Sequence, residues 1–376
     1  MEEKKDGLTV RQLLAIAGVG FLSPALRLIP GQCAVLAGRG AWLSPLLAIP
    51  ALLLLNWMIS RLMARRRCGE GMGGMVRRAL GHTGGNVALL VFSGWLTFYA
   101  GFLLRSGAER FVTAIYPRSA PGLFVWVMLL LSLVATLGPT RALGRCAEIF
   151  RPLLLAGLGL VLLFAFAGFR VQNLLPVTPR QLPALLLGAL PAVDVTGLIL
   201  LCVSFAEGLT SGDDRRARRY GRWAVLACCF LSALTAASIG RFGAEFTADM
   251  SNPFFVLVRN ASLFGSVQRI EALVTALWVL PDFVLVTLVL RLASAQARRA
   301  LGFPRRANGG GPWELGNGRW LIVLTAALAL LAALTMAPTD RQLTFLSERL
   351  VPIVSLSFSF GGVGLVLLAG RLRHTI

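Results

Sequence analysis

The sequence predicts an all-helical protein that crosses a membrane many times, and three features lead to this prediction. Hydrophobic residues make up 56% of the 376-residue chain, only 14% of it is charged, and the mean hydropathy is +0.73. A helix crosses the hydrocarbon core of a bilayer with about 20 apolar residues. We count ten such runs, at 8–29, 41–63, 86–107, 122–138, 152–169, 189–210, 220–240, 270–290, 319–337 and 350–370. These runs, numbered here as spans one to ten, leave little of the chain for another domain.

The basic residues predict the orientation of the chain. Groups of arginines follow the even-numbered spans: Arg61, Arg65, Arg66, Arg67, Arg77 and Arg78 after span two; Arg141, Arg145 and Arg151 after span four; Arg215, Arg216, Arg218, Arg219 and Arg222 after span six; Arg298, Arg299, Arg305, Arg306 and Arg319 after span eight. Cytoplasmic loops of membrane proteins carry an excess of Lys and Arg. We therefore expect a multi-pass cell membrane protein with both termini in the cytoplasm. The net charge of +20 is then explained by arginine-rich cytoplasmic loops. We expect the lipid bilayer as partner and no binding to nucleic acid.

Residues that carry out catalysis or bind metals form no recognisable pattern in this sequence. The six cysteines have no metal-ligand spacing, and the two histidines, His82 and His374, have no second histidine at helical spacing. We find no nucleophile elbow and no phosphate-binding glycine loop. The sequence therefore predicts no enzymatic activity, no metal site and no cofactor.

Span one combines residues that weaken a helix at the middle of the membrane. Gly18, Gly20 and Pro24 lie within two helical turns, with Ser23 beside the proline. Glycine costs about 1 kcal/mol relative to alanine within a helix, and proline costs about 3 kcal/mol. One interpretation is a broken helix whose backbone faces a ligand, because non-helical backbone at this depth must be buried or line a cavity. The other is a continuous helix with a glycine packing face and a proline kink.

The number of spans favours the first interpretation. Many secondary transporters consist of two inverted repeats, and their binding sites are formed by broken helices at corresponding positions of the two halves. Ten spans divide into five and five. We therefore predict a single transmembrane domain with one repeat at 8–169 and a second at 183–373, so that span six corresponds to span one.

Span six also contains residues typical of an interrupted helix. Ser204 and Glu207 lie in a stretch that combines a carboxylate, hydroxyl groups and glycine. We predict that Glu207 faces a ligand; the alternative is that it lies at the cytoplasmic interface and pairs with Arg215 or Arg216. Asp194, near the start of the same span, is expected at the outer interface.

Span eight contains an acidic residue in a run that is otherwise apolar. Asp282 follows Pro281, and Thr275, Trp278 and Asp282 lie three and four residues apart, on one helix face. A carboxyl group at bilayer depth costs about 2.5–3.5 kcal/mol unless it faces a protein interior or water. We predict a functional polar group; the alternative is an ion pair with an arginine that stabilises the bundle, although Arg291 on the same helix is too far along.

Span three contains a tyrosine near mid-membrane. The hydroxyl group of Tyr99 requires a hydrogen-bond partner if it is buried, and we predict that it contacts a ligand. Arg105, further along the span, is expected to extend to the outer interface.

Short segments along nearly the whole chain resemble the B subunits of bacterial spore germinant receptors, which belong to the amino acid–polyamine–organocation transporter superfamily. The segments are Leu-Thr-Val-Arg-Gln-Leu at 8–13, Ala-Trp-Leu-Ser at 41–44, Arg-Cys-Ala-Glu-Ile-Phe-Arg-Pro at 145–152, Asn-Leu-Leu-Pro at 173–176, Phe-Ala-Glu at 205–207, Phe-Gly at 242–243 and Arg-Ile-Glu-Ala at 269–272. Their order and spacing carry the resemblance. Where the family usually has Pro-Phe-Gly-Glu in span six, this chain has Ser-Phe-Ala-Glu.

The resemblance implies a ten-helix, LeuT-like inverted-repeat fold with broken helices one and six. It also implies a small-molecule germinant, commonly an amino acid, held between spans one, three, six and eight. A-type and C-type receptor subunits would be the partners, in the inner membrane of a spore. With the residues above, we expect the ligand-binding residues to be Gly18, Gly20, Ser23, Tyr99, Ser204, Glu207, Thr275, Trp278 and Asp282.

Two other functions stay open. A proton- or cation-coupled amino acid transporter would use a carboxylate such as Asp282 or Glu207 for coupling. A structural subunit would bind no small molecule. A receptor needs only that its ligand has different affinities for two conformations, and the fold alone does not separate these functions.

Overall fold

The computed structural model of the protein describes residues 8–67, 70–114, 120–165, 168–206, 216–250, 252–261, 277–303, 319–337 and 339–373. All regular secondary structure within these ranges is helical, so the all-helical fold class predicted from the sequence is confirmed.

The described α-helices of six or more residues are numbered here in chain order; the shorter helix Ser44–Leu47 is left unnumbered. They are α1 (Val10–Ala37), α2 (Ile49–Met63), α3 (Met72–Leu80), α4 (His82–Ala114), α5 (Pro121–Leu137), α6 (Thr140–Ala165), α7 (Leu182–Ala206), α8 (Arg216–Phe242), α9 (Ala244–Asp249), α10 (Pro253–Ala261), α11 (Val279–Ala300), α12 (Trp320–Thr335), α13 (Asp340–Phe345), α14 (Val351–Leu356) and α15 (Val363–Leu372). Two π-helical segments, Leu346–Leu350 and Ser357–Gly362, join the last three into one C-terminal helix.

Each of the ten predicted spans overlaps an apolar helix among the described residues. Seven helical segments in the described part of the chain are long and apolar enough to cross a membrane, and the first of them, Val10–Met63, contains spans one and two. Two shorter apolar helices, α5 and α12, correspond to spans four and nine. Span eight is described only from residue 277 onward, and its apolar segment there is Val279–Ala300. Asp282 therefore lies in the first turn of α11 and not at its middle.

The surface of α5 shows how the protein meets the bilayer. Along this helix the exposed apolar side chains are Leu123, Trp126, Val127, Leu130, Leu131 and Val134, each between 49% and 63% exposed. A soluble protein rarely exposes a continuous apolar surface of this kind. We interpret this face of α5 as the surface that contacts lipid acyl chains.

Helix α1 corrects the prediction of a broken first helix. Its backbone is helical from Val10 to Ala37, with Pro24 and Pro30 inside it. A proline within a helix leaves the carbonyl four residues earlier without its N–H donor, and neighbouring helices make this tolerable at membrane depth. Helix α1 is buried for most of its length and packs against α6, α7, α8 and α11. It is therefore the central helix of the described bundle.

The glycines of α1 lie at helix contacts. A side-chain carbon on Gly20 would lie 3.4 Å from the side chain of Leu285 in α11, and one on Gly18 would lie 3.8 Å from the indole nitrogen of Trp223 in α8. Small residues allow membrane helices to approach closely. The second interpretation of span one, a continuous helix with a glycine packing face, describes the structure.

Span six is helical as far as the structure describes it. Helix α7 runs from Leu182 to Ala206 and contains Pro191. Ser204 donates a hydrogen bond to the carbonyl of Leu200 in its own helix, at 2.7 Å. Glu207, on which the predicted break depends, lies outside the described residues, so that break stays a prediction, as does the division into two repeats.

Candidate functional site

Three helices meet at the carboxyl group of Asp282, deep in the bundle. Arg110 of α4 donates a hydrogen bond from Nη2 to Asp282 Oδ2, and Ser23 of α1 donates from its hydroxyl to Asp282 Oδ1. Asp282 is 5% exposed, and both of its partners are also buried. This group, Ser23, Arg110 and Asp282, is called the three-helix link below.

The three-helix link agrees with the alternative interpretation of Asp282, an ion pair that stabilises the bundle. The sequence does not indicate Arg110 as the partner, because predicted span three ends at residue 107. In the structure, α4 continues to Ala114 and so carries Arg110 into the protein. Removing one partner of a buried ion pair leaves an uncompensated charge, which costs about 3–5 kcal/mol. Both carboxylate oxygens of Asp282 already have donors.

Arg27 lies one helical turn beyond Ser23 on α1. It is 7% exposed, and its guanidinium carbon lies 5.2 Å from the centre of the Phe102 ring. Among the described residues, its Nη2 atom has no hydrogen-bond partner. Arg27 is within Coulombic range of Arg110, Asp282 and Tyr99. The sequence analysis did not single it out, although an ionisable residue inside an apolar span is itself a signal of function.

Asp194 corrects a second expectation. It lies midway along α7 and is 5% exposed, so it is part of the interior and not of the outer interface. The hydroxyl group of Ser355 in the C-terminal helix lies beside its carboxyl group. Within the described part of the chain, however, neither Asp194 Oδ1 nor Ser355 Oγ has a partner at hydrogen-bonding geometry.

A third buried polar residue, Tyr99, interacts electrostatically with both of these charged groups. It is buried in α4, stacks on Trp95 and Phe102 with ring centres 6.1 Å apart in each case, and is within Coulombic range of both Arg27 and Asp194. The three side chains come from α4, α1 and α7. We call Arg27, Tyr99 and Asp194 the open polar site, because its two charged members have polar atoms without described partners.

A cavity of about 230 Å³ adjoins both groups and is called the Arg27 cavity. Arg27, Gln32, Ser106 and Arg110 are among the residues that line it. Pockets for drug-sized ligands measure about 300–1,000 Å³. The Arg27 cavity therefore suits a smaller polar solute.

A second cavity, of about 490 Å³, lies toward the other ends of α1 and α11. The arginines that line it are Arg77, Arg291, Arg298, Arg299 and Arg319, and we call it the basic cavity. On α1 the order of residues is Ile16 at the basic cavity, Ser23 in the three-helix link and Arg27 at the Arg27 cavity. The link therefore separates the two cavities.

The other predicted ligand residues lie elsewhere or outside the described structure. Trp278 is buried but packs on the rings of Phe254 and Phe255, at 4.6 and 5.5 Å between ring centres. Thr275 and Glu207 lie outside the described residues. The structure thus brings Ser23 and Asp282 into contact and places Tyr99 within Coulombic range of Arg27. That the predicted residues contact a ligand stays a prediction.

Arg105 is more enclosed than the sequence suggested. Its Nε atom donates to the carbonyl of Ala337 at 3.1 Å, and its Nη1 atom pairs with Glu109 at 2.6 Å. These bonds tie α4 to the end of α12, and the extension of Arg105 to the outer interface stays a prediction.

Two solved transporters share this fold. One is a Na⁺-coupled sialic acid symporter in a substrate-bound outward-open state, 13% identical, with 98% of this chain and 82% of that chain covered and a TM-score of 0.60. The other is Mhp1, a nucleobase-cation-symport-1 family transporter in a closed conformation with bromovinylhydantoin bound, 15% identical, with 95% and 79% covered and a TM-score of 0.58. At such low identity these similarities establish the fold alone.

The sequence comparisons identify the family. No curated protein sequence matches the chain. The family profile described as spore germination protein matches residues 11–341, which is most of the chain. The match includes α1, α4, α7 and α11, the helices that carry the three-helix link and the open polar site. The protein is a multi-pass membrane protein with a transporter fold, and it belongs to the spore germination protein family.

Proposed function

We propose that this protein is a germinant-sensing subunit of a spore germination receptor and that it binds an amino acid at the open polar site. One observation carries the proposal: Arg27 and Asp194 are buried, each has a polar atom without a partner among the described residues, and Tyr99 is within Coulombic range of both. An amino acid at neutral pH carries one negative and one positive group a short distance apart. Such a ligand offers each of the two side chains a group of opposite charge.

The energetics favour a ligand with two opposite charges. A buried donor or acceptor without a partner costs about 1–3 kcal/mol. The ligand carboxylate would accept hydrogen bonds from Arg27, whose planar guanidinium fits a carboxylate, and the ligand ammonium would donate to Asp194 Oδ1. A neutral sugar or nucleoside would leave the charges of both side chains uncompensated.

The three-helix link has a different part in this proposal. Its carboxylate is already satisfied, so we assign Asp282 the role of positioning α1, α4 and α11, and not of holding the ligand. A sensor needs a ligand that binds one arrangement of its helices better than another. Helix α1 carries both Ser23 of the link and Arg27 of the open polar site, so ligand binding to Arg27 acts on the helix that the link holds.

The proposal also covers the partners and the location of the protein. A-type and C-type receptor subunits would read the conformation of this protein in the spore inner membrane, with both of its termini in the cytoplasm. The family membership supports this assignment.

A transporter is the second candidate, because two cavities lie on opposite sides of the three-helix link. Alternating access requires a site that opens to one side of the membrane at a time. The open polar site already adjoins the Arg27 cavity, and breaking the link would connect it with the basic cavity. Asp194, with its unpartnered oxygen, would be the carboxylate that binds a coupled proton or cation.

Thermal-shift binding to the purified protein tests the amino acid proposal. The standard amino acids are screened first, and the best one is compared with its decarboxylated amine and its deaminated acid. We expect the amino acid to bind at least about tenfold more tightly than either analogue, which corresponds to about 1.4 kcal/mol. Arg27→Gln should abolish the advantage of the amino acid over the amine, and Asp194→Asn its advantage over the acid.

Matched variants control for loss of charge alone. Arg180→Gln and Glu245→Gln remove the same charges from exposed positions and should bind like the wild-type protein. Equal binding of both analogues and the amino acid would overturn the proposal. Uptake of the radiolabelled amino acid into proteoliposomes then separates transport from sensing: accumulation inside the vesicles supports the transporter, and binding without accumulation supports the receptor.

A further inference from the structure

The basic cavity is independent of the amino acid site, since its lining shares no residue with the three-helix link or the open polar site. Five arginines line it, and none of the described residues around it is Asp or Glu. Like charges gathered around one concave space focus a positive potential there and attract anions.

Arg291 and Arg77 are bonded to the backbone around the cavity. Arg291 donates to the carbonyls of Gly138, Ala135 and Thr136 at 2.7, 2.9 and 3.0 Å, at the end of α5. Arg77 donates to the backbone carbonyl of Arg299 at 3.4 Å. These bonds join α5, α3 and α11 around the cavity. The cavity is therefore a built feature of the fold and not a gap between mobile side chains.

Gln296 gives a second and independent indication of a ligand. It lines the basic cavity and is 1% exposed, yet its Oε1 atom has no hydrogen-bond partner in the described part of the protein. A side-chain carbon on Gly73 would lie 2.6 Å from both Gln296 Oε1 and Arg299 Nη1. The glycine therefore leaves room for an amide acceptor and a guanidinium side by side. A ligand that complements these side chains would carry an anionic group to pair with the arginines and a hydroxyl group to donate to Gln296.

The rest of the lining is apolar. Ile16, Leu288, Leu292 and Phe303 form part of the same cavity as the arginines. A small inorganic anion would leave this surface unused, whereas a phosphate ester with a hydrocarbon portion would cover both parts. Basic pockets between transmembrane helices are known sites for phospholipid head groups.

We propose that the basic cavity binds a hydroxylated phosphate ester, with the phosphate at Arg298 and Arg299 and a hydroxyl group donating to Gln296. The head group of an anionic glycerol phospholipid has this chemistry, and so does a soluble glycerol phosphate. A guanidinium binds a phosphate through two parallel hydrogen bonds, and the glycerol hydroxyl is the donor that the buried amide oxygen lacks.

The test measures ligand-induced thermal stabilisation of the delipidated, full-length protein in a non-ionic detergent. Short-chain phosphatidylglycerol should raise the melting temperature, and phosphatidylcholine of the same chain length should not. Glycerol 3-phosphate distinguishes the sources: an equal shift indicates a soluble ester, and a shift that requires the acyl chains indicates a lipid.

Variants locate the effect. Arg298→Gln/Arg299→Gln should weaken the apparent affinity at least about tenfold, because charge-assisted hydrogen bonds are lost. The control Arg218→Gln/Arg219→Gln removes the same charge from an exposed surface of α8 and should bind normally. If the first pair impairs folding, Gln296→Leu serves instead: it keeps every charge and should remove the preference for phosphatidylglycerol over phosphatidylmethanol, which lacks the hydroxyls.

Two results would overturn the proposal. One is equal stabilisation by phosphatidylglycerol and phosphatidylcholine in the wild-type protein. The other is normal phosphatidylglycerol binding by both the Arg298→Gln/Arg299→Gln variant and Gln296→Leu.

Discussion

The three-helix link and the open polar site are both buried and charged, but they differ in how completely their polar atoms are satisfied. In the link, both oxygens of Asp282 accept hydrogen bonds, from Ser23 and Arg110. In the open polar site, Arg27 Nη2 and Asp194 Oδ1 have no partner among the described residues. A satisfied buried network fixes a structure, whereas an unsatisfied one carries a cost that a ligand can remove. Burial of a charge therefore does not by itself indicate a ligand site.

The largest expected effect comes from breaking the three-helix link. Asp282→Asn leaves the charge of Arg110 buried without its counter-ion, and we expect a loss of about 3–5 kcal/mol in the free energy of unfolding. Denaturant unfolding in detergent measures it. The double variant Arg110→Leu/Asp282→Leu removes both charges and should recover most of this loss, because apolar replacement of a buried pair is often neutral. If Asp282→Asn is as stable as the wild-type protein, the link does not have a structural role.

A smaller effect is expected from the packing of α4, which carries both Tyr99 and Arg110. A side-chain carbon on Gly101 would lie 2.7 Å from the carbonyl oxygen of Ala329, whereas one on Gly94 of the same helix meets nothing within 4 Å. Gly101→Ala should therefore destabilise the protein by about 1–3 kcal/mol through overpacking.

Gly94→Ala is the matched control for that prediction. It should be neutral or slightly stabilising, because alanine is favoured over glycine in a helix by about 1 kcal/mol. Melting temperatures of the two variants give the comparison. Equal melting temperatures would show that α4 is not held tightly against α12.

The smallest effect is expected at an exposed ion pair. Arg11 lies 3.1 Å from Glu148, and the Arg11 side chain is 76% exposed. Exposed pairs contribute about 0.2–1 kcal/mol, so Arg11→Gln should change the free energy of unfolding far less than Asp282→Asn does. An effect of the same size in both variants would mean that burial does not set the importance of an ion pair here.

The sequence predicts the architecture well because apolar runs of membrane length have few alternative structures. Each of the ten predicted spans overlaps an apolar helix in the described part of the chain. The sequence predicts less well whether an individual helix is broken or continuous. Gly18, Gly20 and Pro24 weaken an isolated helix, yet α1 stays helical through them, because neighbouring helices surround it and the glycines allow those helices to pack closely.

The candidate site is harder to predict because partners come from distant parts of the chain. Asp282 pairs with Arg110, which is 172 residues away in the sequence. No local sequence pattern indicates that pairing. Asp194 lies near the start of a predicted span, and such a position suggests the membrane interface. The apolar segment Pro179–Ala206 begins earlier than the predicted span, so Asp194 lies inside the helix bundle. Arg27 could be identified from the sequence alone, because it is a cation inside an apolar run.

The most direct test of the account is the melting temperature of Arg27→Gln and Asp194→Asn, each measured with and without the amino acid that stabilises the wild-type protein most. If the open polar site binds a ligand, both variants melt at or above the wild-type temperature without the amino acid, because each loses a buried charge. Each also gains much less stabilisation than the wild-type protein when the amino acid is added. Variants that unfold like Asp282→Asn without ligand, or that gain the full wild-type stabilisation with it, would contradict the account.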